Sequence, residues 1–383
     1  MTNTKTGFDF ALCGGGLHNS LIIAALCGMK SSNKIALIEK SKIGGNHTWC
    51  FFGSDISQSM RDQLAPYISY HWSCYEVRFP KYSRILHTPY YMMSSTKLRE
   101  IILSEFKSKK GSYIYEDTTI KSINQSSVNI QNGTSVKATI LVDSRGTTAH
   151  PQKTGFQKFY GQELSLKSPH NFQHPILMDA TVPQKDGFRF MYVLPLSNKK
   201  IIIEDTSFSN GPELEENERI QAISDWLQKH KLEPTKIHRT EKGILPMPWC
   251  KHATPKNSES DKIIYAGYLG GWFHPGTGYS IPVAAELAEI IATTSHKFLF
   301  KALKSIKQRL QYQAKFFYLL NKFLFLSYTT ENRINIFENF YKLPENTIRR
   351  FYSMSLVPKD KFKIFRWPPP KGLSLFRLIN LFK

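Results

Sequence analysis

Residues 201–205 read Ile-Ile-Ile-Glu-Asp, three branched apolar side chains followed at once by two carboxylates. Branched apolar runs favour strands, and this one predicts a buried strand. Two carboxyl groups at the end of such a strand are costly to bury unless they are paired or put to work. The work that suits this setting is acid chemistry, because a dry apolar wall raises the pKa of a carboxyl and keeps it protonated near neutral pH. Successive residues of a strand point to opposite faces, so only one of the two acids enters a given pocket. Glu204 is taken as the acid and Asp205 as turned toward support or solvent; both are candidate catalytic residues. On spacing alone a plainer reading weighs more, in which the strand simply ends here and both acids are solvated.

A second constellation lies near the N-terminus. Phe8–Lys40 runs through a short apolar stretch, the cluster Gly14-Gly15-Gly16, an amphipathic segment, a second apolar stretch and Glu39. That is the order of a βαβ unit that holds a dinucleotide. Gly14 lets the chain turn sharply out of the strand at Asp9–Cys13. Gly16 leaves room for a pyrophosphate against the backbone, where unpaired N–H groups and the positive end of the helix dipole face it. Glu39 stands 23 residues after Gly16, close to the usual spacing of about 20 for the carboxylate that binds a ribose hydroxyl; Lys40 follows it. Asn19 occupies the third glycine position, which predicts looser packing between helix and strand.

Two further loops carry glycines among polar groups. In Ser41–Phe52, Gly44 and Gly45 can curl the backbone around a ligand, with Asn46, His47 and Thr48 as polar groups and Trp49 as a flat face. A glycine turn with a capping Asn explains the same residues equally well. In Gly267–Ser280, Gly270, Gly271, Gly276 and Gly278 permit close approach of a ligand, and His274 and Tyr279 supply polarity ahead of an apolar helix at Ile281–Thr293.

The elements that must position these groups are legible in outline. Ser73–Met93 alternates as a pair of strands, and Ser95–Phe106 has the caps and spacing of a short amphipathic helix. Tyr113–Tyr115, Ile120–Ile123 and Val128–Ile130 read as strands, with a turn at Asn132-Gly133. Thr139–Asp143 is an apolar strand running into Ser144-Arg145-Gly146. Phe156–Ile203 is mostly strand, Pro212–His230 helix and Ile263–Ala266 a short buried strand. Ser295–Lys383 is helical and basic, with phenylalanines and leucines among lysines.

With 383 residues the chain has room for two domains. Its net charge of +21 points to nucleic acid, an anionic membrane surface or acidic ligands. No nucleic-acid module is present, and aromatic residues at 13% among so many cations suit an interfacial protein. The five cysteines, Cys13, Cys27, Cys50, Cys74 and Cys250, form no CxxC pair, which favours reduced thiols in the cytoplasm. No signal peptide or spanning helix is expected, so a membrane would be met from its surface.

Taken in order, the motifs resemble those of the bacterial carotenoid cyclases of the lycopene β-cyclase type. The likeness rests on Gly14–Gly16, Gly44–Trp49, Val142–Gly146, Ile203–Thr206, Phe273–Ser280 and the tail pattern Phe337–Phe351, Asp360-Lys361 and Pro368–Pro370. It implies an α/β protein: a Rossmann-like FAD-binding domain (1–70, 138–150 and 255–296), a β-rich cap or substrate region (71–137 and 151–254) and a basic helical C-terminal region (297–383). It further implies FAD, active in its reduced form with NADPH as electron donor, contacted by Gly14, Gly15, Gly16, Asn19, Glu39, Lys40, Gly45, Asn46, His47, Arg145, Gly271, His274, Thr277, Gly278 and Tyr279. The implied substrate is a linear carotene such as lycopene, closed into β-ionone rings by way of γ-carotene without net redox change. The implied place is cytoplasmic, peripheral on the inner membrane, with other carotenoid enzymes as possible neighbours and no metal. Two rivals stand beside this reading. A flavin-dependent isoprenoid hydroxylase or reductase would consume NAD(P)H stoichiometrically, and a non-catalytic carotenoid-binding membrane protein would hold pigment without converting it.

Overall fold

The computed structural model describes residues 4–146, 152–251, 254–255 and 262–365; the tail motif Pro368–Pro370 lies outside them. Strand Thr4–Cys13, helix Leu17–Gly28 and strand Ile35–Ile38 follow in order, and the two strands pair in parallel, Phe10 opposite Ile35 and Cys13 opposite Ile38. Tyr113–Tyr115 adds outside Ile35–Ile38, while Ser135–Asp143 adds on the other side of Thr4–Cys13 and carries Ile263–Tyr265 against its C-terminal end, all parallel. Strands Ile120–Asn124 and Ser127–Ile130 complete a seven-stranded sheet. Because both faces of this sheet are covered, Ile35–Ile38 is buried at every residue rather than at alternate ones. The same logic explains helix Leu17–Gly28, apolar nearly all round, which packs between the sheet and helix Ile281–Thr293.

A second seven-stranded sheet takes the order Pro234–Pro248, Thr154–Leu166, Lys200–Ser209, Phe188–Ser197, Ile176–Asp179, Tyr75–Phe79, Tyr82–Leu86. Its two faces are distinct. Ile201 and Ile203 pack with Ile223, Trp226 and Leu227 of helix Glu216–Lys229. Ile202 and Phe208 pack toward Phe337 and Phe340 of the C-terminal helices. A small sheet of Thr48–Phe52, Tyr90–Ser94 and Tyr70–Trp72 contributes Phe51 and Met93 to the first core and Phe52, Tyr90 and Met92 to the second. Helices His296–Lys322, Arg333–Tyr341, Glu345–Tyr352 and Pro358–Phe365, with a π-helical turn at Phe323–Ser327, complete the described chain.

The structure differs from the sequence reading in two stretches. Residues 73–93 hold two strands and most of a third rather than a pair, because the turns at Pro80-Lys81 and His87–Pro89 divide an alternation that looks continuous. Residues 113–137, assigned above to the cap, join the first sheet: Ala36 pairs with Tyr113, and Val128 and Val136 bury against Ala11 and Ala36. Parallel pairing across a long crossover leaves no local mark in the sequence.

Asn321 ties the C-terminal helices to the rest. It is 2% exposed, and its amide donates to the carbonyls of Pro248 (2.7 Å) and Pro275 (2.8 Å). Asn321→Ala leaves both carbonyls without this donor inside the protein and should cost about 2–4 kcal/mol, read as a lower denaturation midpoint.

Candidate active site

The first glycine turn opens a groove of about 1260 Å³ lined by Gly14, Gly16, Glu39, Lys40, Ser144, Arg145 and Gly146 among others. Gly14 has φ +95°, a conformation that side chains disfavour. Gly16 is different: its φ is ordinary, and a methyl group built on it meets no protein atom within 4 Å. The space beside it is therefore kept clear for something other than the protein, at the N-terminus of a helix, as a pyrophosphate requires. Glu39 is fixed at the groove wall, its carboxylate accepting from the Gly15 N–H (2.6 Å), the Ser41 N–H (2.9 Å) and the Ser41 hydroxyl (2.9 Å). Arg145 makes a bidentate pair with Asp143 (2.9 and 2.8 Å). These features fit a dinucleotide.

Asn19 lies beneath the groove, fully buried, donating to the carbonyls of Cys13 (3.1 Å) and Gly14 (2.7 Å). The loose packing expected there is replaced by a polar brace under the turn, and Asn19 does not line the groove. His274 also departs from its expected place along the cofactor. The Gly276 N–H donates to its Nδ1 (3.0 Å), which leaves Nε2 to donate to the Phe351 carbonyl (2.9 Å). The ring is 1% exposed, packed against Phe317 and Phe351, and burial lowers its pKa to about 4. It is a neutral structural histidine. Gly271 lines a separate cleft with Thr254 and Lys307. Asn46 and His47 reach the edge of the second sheet: Asn46 donates to the Thr240 carbonyl (2.8 Å) and His47 Nδ1 lies 3.2 Å from Glu241. Gly45, beside them, turns with φ +59°.

Strand Lys200–Ser209 does not end at the two acids but runs through them, and its alternation separates them. Asp205 faces helix Glu216–Lys229 and is fully buried, held by Arg189 (2.7 and 2.6 Å) and Arg219 (3.1 Å). It does not line the cavity, so its expected catalytic role gives way to a structural one. Glu204 points the other way, with Thr206 and Phe208, into a cavity of about 940 Å³ lined also by Cys50, Phe52, Tyr90, Tyr192, Thr277, Tyr279 and Tyr352. Burial raises the Glu204 pKa from 4.5 to about 8, the charge of Glu241 adds to the rise, and Arg239 opposes it. Thr277 and Gly278 belong to the loop that closes this cavity; Thr277 Oγ1 accepts from the Tyr279 N–H (3.2 Å), and the Tyr279 hydroxyl donates to Asp55.

Two residues of this site escaped the sequence reading. Glu241 lines the cavity, its carboxyl group accepting from the Thr48 N–H (3.0 Å) and from Arg239 Nη1 (2.9 Å). Nothing in the polar run Arg239–Lys242 marks it. Gly161 sits opposite Glu204 on the neighbouring strand, and a methyl group there would lie 2.6 Å from Glu204 Cγ. An isolated glycine inside a strand signals such a close approach.

A two-layer arrangement of this kind, nucleotide groove on a parallel sheet and a cavity under a second sheet, is the fold of flavin-dependent oxidoreductases. The chain superposes on a geranylgeranyl bacteriochlorophyll reductase-like protein from Thermoplasma acidophilum with a TM-score of 0.62 and 13% identity, covering 99% of each chain. It matches a flavin-dependent brominase with a TM-score of 0.62 and 14% identity, covering 91% of this chain and 94% of the other. Sequence comparison narrows the class. The family model described as lycopene cyclase protein matches residues 9–378. Lycopene beta-cyclases of Pseudescherichia vulneris and Pantoea ananas are 36% and 34% identical, covering 96% and 95% of this chain and 95% of each relative. The chain belongs to the lycopene cyclase family.

The raised Glu204 pKa has a measurable sign. Between about pH 4.5 and about 8 the folded chain keeps a proton that the unfolded chain has lost, so this stabilising contribution is full below 4.5 and is lost as pH rises through 8. Glu204→Gln removes the loss. The variant's stability relative to the parent should therefore rise from pH 5 to pH 8 in denaturant titrations; a constant difference would assign Glu204 an ordinary pKa.

Proposed function

We propose that this protein is a lycopene β-cyclase that closes the ψ-ends of lycopene into β-ionone rings, giving β-carotene by way of γ-carotene, with Glu204 as the acid. The observation that supports this most directly is the placement of Glu204, a carboxyl kept protonated inside an aromatic-walled cavity, in a chain of the lycopene cyclase family.

The chemistry needs a strong acid because an alkene is a very weak base. Glu204 gives its proton to the terminal double bond, and the neighbouring double bond attacks the tertiary cation so formed. Loss of a proton from the ring carbon completes the ring and restores the carboxylic acid, so electrons and protons balance to zero. The faces of Tyr90, Tyr192 and Tyr352 stabilise the cation by cation–π attraction, and the aromatic wall keeps water from quenching it. Glu241, held by Arg239 and the Thr48 N–H, raises the Glu204 pKa further and so helps keep Glu204 protonated. Asp205, locked between two arginines, fixes the strand that presents Glu204.

Gly14, Gly16, Glu39 and Arg145 would hold the dinucleotide part of FAD, and the loop Gly267–Ser280 reaches both places, Leu269 lining the groove and Thr277 and Tyr279 the cavity. When bound and reduced, FAD would supply negative charge to the site. The proposed electron source is NADPH, required in catalytic amounts only. The protein is proposed to act at the cytoplasmic face of a membrane as a peripheral protein; no helix among the described residues is long and apolar enough to cross one.

Expression in a lycopene-accumulating host should turn lycopene into cyclised carotenes. Glu204→Gln should give folded, flavin-containing protein with at least about a hundredfold lower conversion, the scale at which a positioned acid contributes. Near-parent activity in that variant would remove Glu204 as the donor. Attachment is checked separately: the protein should sediment with anionic vesicles and be released by salt, since exposed cation–phosphate attraction is screened.

A further inference from the structure

The cavity of Glu204 is not closed on every side. It shares Met178, Phe208, Thr277 and Tyr352 with a second cleft of about 1290 Å³. The walls of that cleft are almost wholly apolar, built from the π-helical turn Phe323–Ser327 and the three helices that follow it. At its rim stand Leu320, Phe323, Ile364 and Phe365. Phe365 is 43% exposed and packs edge-on against Phe316 (5.3 Å) and Phe323 (5.8 Å).

Outward from the rim the character of the surface continues. Tyr312, Lys315, Phe316, Leu319 and Phe323 recur at helical spacing on one side of His296–Lys322. Tyr312 is 63% exposed and Leu319 39%; the ammonium of Lys361 lies 4.4 Å above the Tyr312 ring. This 27-residue helix carries six lysines and one arginine and no acid. The acid of the neighbouring helix Pro358–Phe365, Asp360, is 1% exposed and bound to Arg350 and Thr347. Beyond Phe365 the sequence adds Arg366, Lys371, Arg377 and Lys383 and again no acid.

We propose that this face seats the protein on an anionic lipid bilayer, and that the second cleft, whose lining includes the paired rings of Phe323 and Phe365, is a portal through which a long apolar substrate passes from the acyl layer to Glu204. Cations at headgroup level and aromatic rings just beneath them are the arrangement an interfacial surface requires. A bilayer also supplies acyl chains to cover an apolar mouth that nucleic acid would leave against water. The seat follows from the surface alone; the identity of what passes through the portal rests on the cyclase reading.

The test uses the full-length, flavin-loaded protein and lycopene delivered in two media: phosphatidylcholine vesicles with phosphatidylglycerol, and detergent micelles. The pair Lys315→Glu, Leu319→Glu lies on the proposed seat outside the cleft lining. The pair Lys236→Glu, Ile237→Glu makes the same change of charge on the exposed edge strand Pro234–Pro248. The first pair should lower vesicle binding, and conversion of vesicle-borne lycopene with it, by at least about tenfold, while micellar lycopene is converted at the parent rate. The second pair should keep both. Equal loss in the two pairs would make the attraction one of total charge and overturn the seat, as would full binding by the first pair. Retained binding with unchanged vesicle turnover after Phe365→Glu would overturn the portal. Parent protein that binds native membranes but not protein-free vesicles would replace the bilayer with a protein receptor. Failure of the parent to convert lycopene in either medium would sink the cyclase reading, while the vesicle arm still judges the seat.

Discussion

The two-residue period of a single strand governs this molecule. Between Ile201 and Phe208 every second side chain faces helix Glu216–Lys229, and the others face the cavity and the C-terminal helices. Adjacent carboxyl groups thereby enter opposite electrostatic environments. Asp205 meets two guanidinium groups and Glu204 meets aromatic walls and a neighbouring carboxyl group. The first is paired within hydrogen-bond reach of both guanidinium groups; the second has its pKa raised because burial and the nearby Glu241 both disfavour its ionisation. A slip of one residue in register would exchange the two environments and destroy both.

Around that strand the protein arranges supports that act by exclusion as much as by contact. Gly161 leaves the volume that the Glu204 side chain fills. Asn19 braces the glycine turn from below and so keeps the groove above it clear. His274 surrenders both ring nitrogens to backbone groups, which shapes the Phe273–Ser280 loop and ties it to Phe351 in the C-terminal helices. Polar residues that look reactive in sequence are here spent on geometry, and the carboxyl groups that line the cavity are Glu204 and Glu241.

What the sequence disclosed and what it concealed divide along physical lines. The glycine turn, Glu39 and the apolar strands around them were legible because backbone freedom and burial leave local signatures. The opposite facing of Glu204 and Asp205 was legible for the same reason. The continuation of their strand to Ser209 was not, since Thr206 and Ser207 look like an exit to solvent until Arg219 and Ser209 are seen to bond Ser207. Glu241 approaches Glu204 from across the sheet, and the pairing of Tyr113 with Ala36 joins segments far apart in the chain. Such encounters are set by topology, and a linear pattern carries no trace of them.

Among the described residues the cavity wall contains a single carboxyl raised toward neutrality, Glu204, and the proposed portal is the approach to it. A symmetrical polyene has two reactive ends. A catalyst with one acid and one approach treats such a molecule end by end, and between the two events the half-finished chain must withdraw, reverse and return. The proportion of one-ringed to two-ringed product then becomes a contest between two rates, escape into the surroundings against re-entry in the opposite sense. Selectivity of that kind is governed by how long the intermediate lingers near the opening, so it is tuned by the medium around the protein without any change to the acid itself.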